Sequence, residues 1–131
     1  LVFFAPMFVL MASVWQSGFL QSFVDTGALG SIPLILTTSI VISQFISNVP
    51  FVALFQPLIL DAGGTTAQLL ALAAGSTIAG NLTILGAASN VIIIQGAERE
   101  GATITFLQFA RIGIPLTLIQ AGIYWAFLSL L

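Results

Sequence analysis

Two short polar clusters interrupt long apolar stretches of this sequence, and this pattern restricts the possible folds more than any other feature. The clusters are SNVP at residues 47–50 and GAASN at residues 86–90, and each is flanked by apolar residues that favour helix. No charged residue lies between Asp61 and Glu98. In hydrocarbon, a polar break in a helix is costly unless it lines a protected cavity. We therefore expect the two clusters to face each other near the middle of a membrane.

The composition around these clusters indicates that lipid is the solvent of the folded chain. Of the 131 residues, 59% are hydrophobic and 5% are charged, whereas soluble domains carry about 25% charged residues. Two arginines cannot form a phosphate-binding face, so nucleic acid is not an expected partner. The sequence contains no Cys and no His. Because most nucleophile–base pairs and zinc sites need those residues, we do not expect an enzyme.

The apolar runs predict an all-α integral membrane protein. They divide the chain into a spanning helix (residues 1–24), a re-entrant helical hairpin (31–60), a broken helix (65–96) and a final spanning helix (105–131). About 20 apolar residues are enough to cross the hydrocarbon core. The chain starts inside an apolar run without Met, and we expect it to be a fragment of a longer protein.

The hairpin prediction rests on a break in the middle of residues 31–60. Pro33 suits the first turn of one helix. Ser47 or Asn48 is placed to cap a second helix that begins near Pro50. Each leg would span roughly 16–20 Å, too short to cross the bilayer alone. The alternative is one Pro-kinked spanning helix, which at about 29 residues would be long for a single span.

Residues 65–96 predict a helix that unwinds between Gly80 and Asn90, where helix propensity is lowest. Close helix packing is the alternative explanation of the glycines, but it does not explain two Asn residues at hydrocarbon depth. We expect Asn81 to hydrogen-bond a neighbouring helix. The remaining polar side chains are expected to be structural, within their own helix or on packed helices: Ser76, Thr77, Thr83, Gln16, Gln44 and Gln56.

The positive charges predict the orientation of the chain. Arg99 and Arg111 flank the loop before the last helix, and positive residues are enriched in cytoplasmic loops. We therefore expect the loop at residues 97–104 to be cytoplasmic, with Asp25 and Asp61 outside. The expected location is the cell (plasma or inner) membrane, in a multi-pass protein.

Two longer motifs resemble the ion transporter superfamily, which includes arsenite permease-like, citrate transporter-like and sodium–dicarboxylate symporter proteins. The motifs are SQFISNVP at residues 43–50 and AAGSTIAGNLTILGAASNVI at residues 73–92. FFA at residues 3–5 and FARIGIP at residues 109–115 extend the resemblance over nearly the whole chain. The chain is most similar to the second inverted repeat of the bacterial and archaeal anion permease branch.

The resemblance implies a site at the membrane midplane, formed by the hairpin and the broken helix of each repeat. It assigns substrate contacts to four residues: Ser47, Asn48, Ser89 and Asn90. It assigns a Na⁺ site, largely through backbone carbonyls, to Ser43, Ile46, Asn48 and Ala87. Val49 stands where the dicarboxylate branch has Thr, so one hydroxyl for a carboxylate is missing. For Asn48 and Asn90 the alternative role is a plain helix cap.

Simple electrostatics agree with such a site. Uncharged oxygen ligands suit Na⁺, and the N-termini of half-helices favour an anion. The expected function is secondary active transport of a small anion, an inorganic oxyanion or a carboxylate, with Na⁺ as the coupling ion and no other cofactor. The alternatives are an arsenite-type permease or a cation or proton antiporter, and a non-transporting membrane subunit or remnant. Expected partners are the lipid bilayer, the other inverted repeat of the same protein and a second copy in a homodimer.

Overall fold

Residues 30–131 form five α-helices. The computed structural model describes these residues and, before them, residues 6, 9, 12–14 and 16–18. The helices are α1 (Ile32–Ile42), α2 (Asn48–Asp61), α3 (Thr66–Ile78), α4 (Ala88–Arg99) and α5 (Phe106–Leu128). Two 3₁₀ turns, Ala79–Asn81 and Ile84–Gly86, lie between α3 and α4. No strand occurs in the described residues, so this part of the chain is all-α.

The first predicted spanning helix, residues 1–24, lies mostly outside the described residues, as do Asp25 and the FFA motif. Gly18 is described and has a φ of +69°. A right-handed α-helix does not contain this left-handed conformation. The chain therefore turns at Gly18, and the spanning helix over residues 1–24 stays a prediction.

The helices α3 and α5 begin with the same pattern, Thr-x-x-Gln. Thr65 Oγ1 accepts a hydrogen bond from the backbone N–H of Gln68 at 3.3 Å, and Gln68 Oε1 accepts one from the backbone N–H of Thr65 at 2.7 Å. Thr105 and Gln108 make the same exchange at 3.3 and 2.9 Å. Each capping box satisfies two N–H groups that a helix start leaves free. Local sequence therefore determines where both helices begin.

The helices α2 and α4 both end at a glycine with a left-handed backbone. Gly63 has a φ of +73° and Gly101 a φ of +82°, which residues with a side chain rarely adopt. The following N–H then donates to a carbonyl five residues earlier, at 2.8 Å for Gly64 and 2.9 Å for Ala102, as in a Schellman motif. The prediction that the charged loop begins before Arg99 is wrong, because Glu and Arg favour helix and extend α4.

One apolar core joins α1, α2 and α3. Phe51 is 0% exposed, and its ring centroid lies 4.4 Å from that of Phe55. Gly75 lets α1 and α3 approach closely, because a Cβ there would lie 2.7 Å from the Cβ of Ser39. The other core residues come from these three helices and the end of α5: Ile35, Leu36, Leu54, Ile59, Ala71, Leu72 and Leu128. Both short helices, α1 and α2, are therefore held against α3.

Residues 32–61 double back on themselves. Nε2 of Gln68, near the start of α3, donates to the carbonyl of Gly30, just before α1, at 3.2 Å. Ile32 lines the same surface cavity as Thr65. The start of α1 and the end of α2 therefore lie at one end of the fold. A single kinked spanning helix does not allow this arrangement, so that alternative is wrong.

The middle of α5 lies beside the interruption between α3 and α4. Gly113, the eighth of 23 residues in α5, packs against the carbonyl oxygen of Leu82. Gln120, the fifteenth, accepts a hydrogen bond from Asn81 Nδ2 at 3.0 Å, which confirms the predicted role of Asn81. At 1.5 Å per residue α5 measures about 35 Å, enough to cross a hydrocarbon core of about 30 Å. The interruption therefore lies opposite the midpoint of a helix of spanning length.

The surface of α5 is apolar and exposed. Among the described helices, α5 is the one long and apolar enough to cross a membrane, and 17% of its most apolar window is buried. Leu107 is 79% exposed and Ile112 is 73% exposed. Soluble proteins rarely leave apolar patches of this kind uncovered. The exposed face of α5 indicates contact with lipid or with another apolar segment.

Candidate functional site

The hairpin tip, residues 43–48, contains two buried polar atoms without partners. Ser43 is 1% exposed. Within the described part of the chain, neither its Oγ nor the Oδ1 of Asn48 has a hydrogen-bond partner. Leaving a buried polar atom unpaired costs about 1–3 kcal/mol. Because most buried polar atoms in proteins have a hydrogen-bond partner, these two oxygens mark the hairpin tip as a candidate binding site.

The start of α2 differs from the prediction. Ser47 is the N-cap residue, but its side chain makes no capping hydrogen bond. Asn48 is the first residue of α2, so the interpretation of Asn48 as a plain cap is wrong. The helix begins two residues before Pro50, which fits because the first turn of a helix does not use the N–H that proline lacks.

The unwound segment, residues 79–87, separates α3 from α4. Its residues Thr83 and Ala87 are extended, with φ/ψ of −138°/165° and −148°/137°. Gly86 folds back on the start of the segment, since a Cβ there would lie 2.5 Å from the carbonyl oxygen of Ala79. The regular helical hydrogen bonds are lost here, so the backbone carbonyls become available to side chains.

Gln44 joins the hairpin tip to the unwound segment. Its Nε2 donates to the carbonyl of Ala79 at 2.7 Å, and its Oε1 accepts from the hydroxyl of Thr83 at 2.8 Å. Oε1 would also lie 3.0 Å from a Cβ at Gly86. The prediction that Thr83 is satisfied within its own helix is wrong, because Thr83 lies between α3 and α4 and bonds to Gln44. Gln44 has the predicted structural role, since its side chain spans the contact between the two polar regions.

Asn90, in the first turn of α4, also hydrogen-bonds the unwound segment. Its Nδ2 donates to the carbonyl of Gly80 at 2.7 Å and to that of Thr83 at 3.3 Å. The second half-helix begins at Ala88, so Asn90 lies in its first turn and not before it. Asn90 therefore supports the broken helix directly through its side-chain N–H group.

The predicted site residues fall into two groups. Gln44 lies next to Ser43 and contacts the region of Gly86, which precedes Ala87. The sequence neighbours of two predicted Na⁺-binding positions, Ser43 and Ala87, therefore contact each other, and the Na⁺ site itself stays a prediction. The other predicted residues have more accessible surfaces, because they lie on the tip or in the first turn of α4: Ile46, Ser47 and Ser89. No cluster of acidic or metal-binding side chains occurs among the described residues.

A groove of about 350 Å³ extends from Asn48 between α2 and α3. This size is within the range of small-molecule sites. Gln56 lines it from α2, and Ser76 and Thr77 line it from α3. Both hydroxyls donate to the carbonyl of Ala73, at 3.0 and 2.7 Å, which confirms that they are satisfied within their helix. Their oxygens can still accept hydrogen bonds or coordinate a cation.

Thr117 is a buried polar residue that the sequence analysis did not single out. Thr117 in α5 is 2% exposed, and its Oγ1 has no hydrogen-bond partner there. It follows Gly113 by one helical turn, on the face of α5 that packs against the unwound segment. The only sequence signal was its spacing from Gly113 and Gln120.

The all-α fold of the described residues and the exposed apolar surface of α5 agree with a membrane protein. The chain is similar to curated proteins that are named as a membrane protein, as an uncharacterized transporter and as a P protein. It is 32% identical over 141 residues to the 46 kDa membrane protein of Mycobacterium leprae, covering 95% of the chain and 33% of that protein. It is 34% identical over 137 residues to an "uncharacterized transporter" of Mycobacterium tuberculosis H37Rv, covering 94% and 32%. It is 30% identical over 147 residues to the P protein of Homo sapiens, covering 98% and 18%.

The chain spans at most about a third of the length of these relatives. No protein-family profile matches the chain, and no solved structure matches it. Two of these relatives are named as a membrane protein and as a transporter, and the similarity covers one part of each.

Proposed function

We propose that the full-length protein is a secondary active transporter of a small anion, an inorganic oxyanion or a carboxylate, coupled to Na⁺. The site lies between the hairpin tip and the unwound segment. The observation that carries this proposal is the position of that junction. The hairpin tip holds two buried polar atoms that have no partner among the described residues, and Gln44 bonds this tip to the unwound segment. That segment in turn contacts the middle of α5, the helix long enough to span a membrane. The relatives named as transporters support the same function class.

The chemistry of the junction suits a cation and an anion together. Ser43 Oγ, Asn48 Oδ1 and the carbonyls of non-helical residues offer neutral oxygens, which hard cations such as Na⁺ prefer. The helices α2 and α4 each begin directly after one of the two polar interruptions, and each N-terminus carries a partial positive charge that favours an anion. We place the anion beside the first turn of α4, where Ser89 is exposed, with Ser47 of the hairpin tip as the facing contact.

The proposed membrane arrangement follows from the same geometry. We propose that residues 32–61 enter and leave the cell membrane from the outer side as a re-entrant hairpin. Each helix of the hairpin is too short to cross alone, since 11 and 14 residues span about 17 and 21 Å. The loop after Arg99 then lies in the cytoplasm, and the remaining surface contacts lipid and the other repeat of the full-length chain.

Uptake by the full-length protein in proteoliposomes tests the function. Sulfate, phosphate, succinate, citrate and arsenite would each be supplied with an inward Na⁺ gradient, a pH gradient or no gradient. We expect Na⁺-driven uptake of sulfate, phosphate, succinate or citrate. Uptake driven by the pH gradient alone would replace Na⁺ by a proton, and uptake of arsenite alone would favour the arsenite-type permease. Absence of uptake across the whole panel would refute the proposal.

The site assignment is tested by Asn48→Ala, with Gln95→Ala as the control. Gln95 is an exposed amide residue in α4. Because a buried hydrogen bond to an ion is worth about 1.5–3 kcal/mol, Asn48→Ala should lower uptake about 10- to 100-fold. Gln95→Ala should leave uptake unchanged. Full uptake by Asn48→Ala, with normal membrane insertion, would show that the site lies elsewhere.

A further inference from the structure

We propose that Gln44 and Thr83 couple cation binding at the hairpin tip to anion binding beside α4. They act as positioning residues and contact neither ligand. This inference rests on the proposed function and concerns how its two ligands influence each other.

The amide of Gln44 is held in one orientation. Its Nε2 donates to two carbonyls, that of Ile40 in its own helix at 3.1 Å and that of Ala79 at 2.7 Å. Its Oε1 accepts from Thr83 at 2.8 Å. A flipped amide would place Oε1 against two carbonyl oxygens, which cannot donate. Gln44 is therefore a fixed link between the end of α1 and the unwound segment.

Gln44 is also close in the chain to the unpaired atoms of the hairpin tip. It follows Ser43 directly and precedes Asn48 by four residues. The backbone between them is a turn, with hydrogen bonds from Gln44 to Val41 and from Phe45 to Ile42. Because Gln44 shares this short turn with Ser43 and Asn48, a cation that binds to their oxygens would act directly on the backbone that carries Gln44.

Thr83 transmits that shift to Asn90. Its hydroxyl donates to Gln44, and its carbonyl accepts from Asn90 Nδ2 at 3.3 Å. A continuous chain of hydrogen bonds thus runs from the hairpin tip through Thr83 to the first turn of α4. Coupling between two sites requires a physical connection with more than one arrangement. The connection here consists of side chains that link two interruptions of helix, not of packed apolar residues.

The coupling can be measured as a ratio of two dissociation constants for Na⁺. One is measured with the full-length protein alone and the other with saturating sulfate, phosphate, succinate or citrate, each tested separately. For two linked sites this ratio is typically about 5 to 150, and each ligand changes the affinity for the other by the same factor. We expect a ratio on the order of 10 for the native protein.

Four variants isolate the connection. Thr83→Val removes the hydroxyl and keeps the shape, whereas Thr83→Ser keeps the hydroxyl. Gln44→Leu removes the amide. Gln120→Leu is the matched control, because it breaks the hydrogen bond of Asn81 on the other side of the same unwound segment.

We expect Thr83→Val and Gln44→Leu to bring the ratio close to 1 while Na⁺ alone still binds. Thr83→Ser and Gln120→Leu should keep the native ratio. A native ratio in Thr83→Val would overturn the inference, as would a ratio of 1 in the native protein when both ligands bind. If Gln44→Leu does not fold, the two Thr83 variants decide the result. Failure of the native protein to bind Na⁺ or any of the anions would instead contradict the proposed function.

Discussion

Replacing Gly113 by Ala should separate α5 from the unwound segment. A Cβ at Gly113 would lie 2.9 Å from the carbonyl oxygen of Leu82 and closer still to that of Asn81. Both atoms belong to the backbone, so neither can rotate away as the end of a flexible side chain would. Overpacking of this kind costs about 1–3 kcal/mol, and we take the upper value because two carbonyls are involved.

The helix propensity of alanine offsets part of this cost. Gly→Ala in a helix gains about 1 kcal/mol, so the net destabilisation by Gly113→Ala is about 2 kcal/mol, the difference of the two estimates. Gly122 is the matched control, because it lies in the same helix and a Cβ there would meet nothing within 4 Å. Gly122→Ala should therefore be neutral or stabilising.

Thermal unfolding of the full-length protein in detergent, followed by tryptophan fluorescence, would measure both variants. We expect Gly113→Ala to lower Tm by a few degrees and Gly122→Ala not to lower it. Uptake should fall in Gly113→Ala, since the unwound segment must move to accommodate the methyl group. Equal Tm values for the two variants would refute the close packing of α5 against Asn81 and Leu82.

Three further predictions concern the core, a helix start and the membrane arrangement. Phe51→Ala should destabilise the protein by about 3–5 kcal/mol because it empties a fully buried site; Phe127→Ala, at a residue that is 59% exposed, should cost much less, and similar unfolding curves would contradict the core assignment. Thr105→Ala should lower the free energy of unfolding by about 1 kcal/mol, because it removes the capping box of α5. Thr103→Ala, outside the helix, should leave that free energy unchanged. Equal destabilisation by the two variants would argue against the cap. For the membrane arrangement, single-cysteine variants would be labelled with an impermeant thiol reagent. We expect Ser31→Cys and Ala62→Cys to react from the outer side and Ala102→Cys to react from the cytoplasmic side. Labelling of Ser31→Cys and Ala62→Cys from opposite sides would exclude the re-entrant hairpin.

Much of the secondary structure is encoded locally. Thr65 and Gln68 specify the start of α3 because their side chains reach neighbouring backbone N–H groups. Gly63 and Gly101 specify helix ends because few other residues adopt their backbone angles. The low helix propensity around Gly80 and Gly86 indicated where the helix would unwind, since propensity depends on each residue's own backbone.

The candidate site was only partly predictable from sequence. Asn48 stood out because an Asn inside an apolar run is costly in a membrane. Its unpaired Oδ1 could not be predicted, since hydrogen-bond satisfaction depends on which neighbours the fold supplies. The predicted roles of Ser47 and Ser89 as substrate contacts stay predictions.

The sequence by itself determined that this chain needs an apolar solvent, forms helices and interrupts two of them with polar residues. These are properties of composition and of residues within a few positions of each other. Only the tertiary structure decided that the two interruptions meet, because Gln44 and Thr83 are 39 positions apart and bond to each other. It also decided that this junction lies opposite the middle of α5, since the contact of Asn81 with Gln120 depends on how the helices pack.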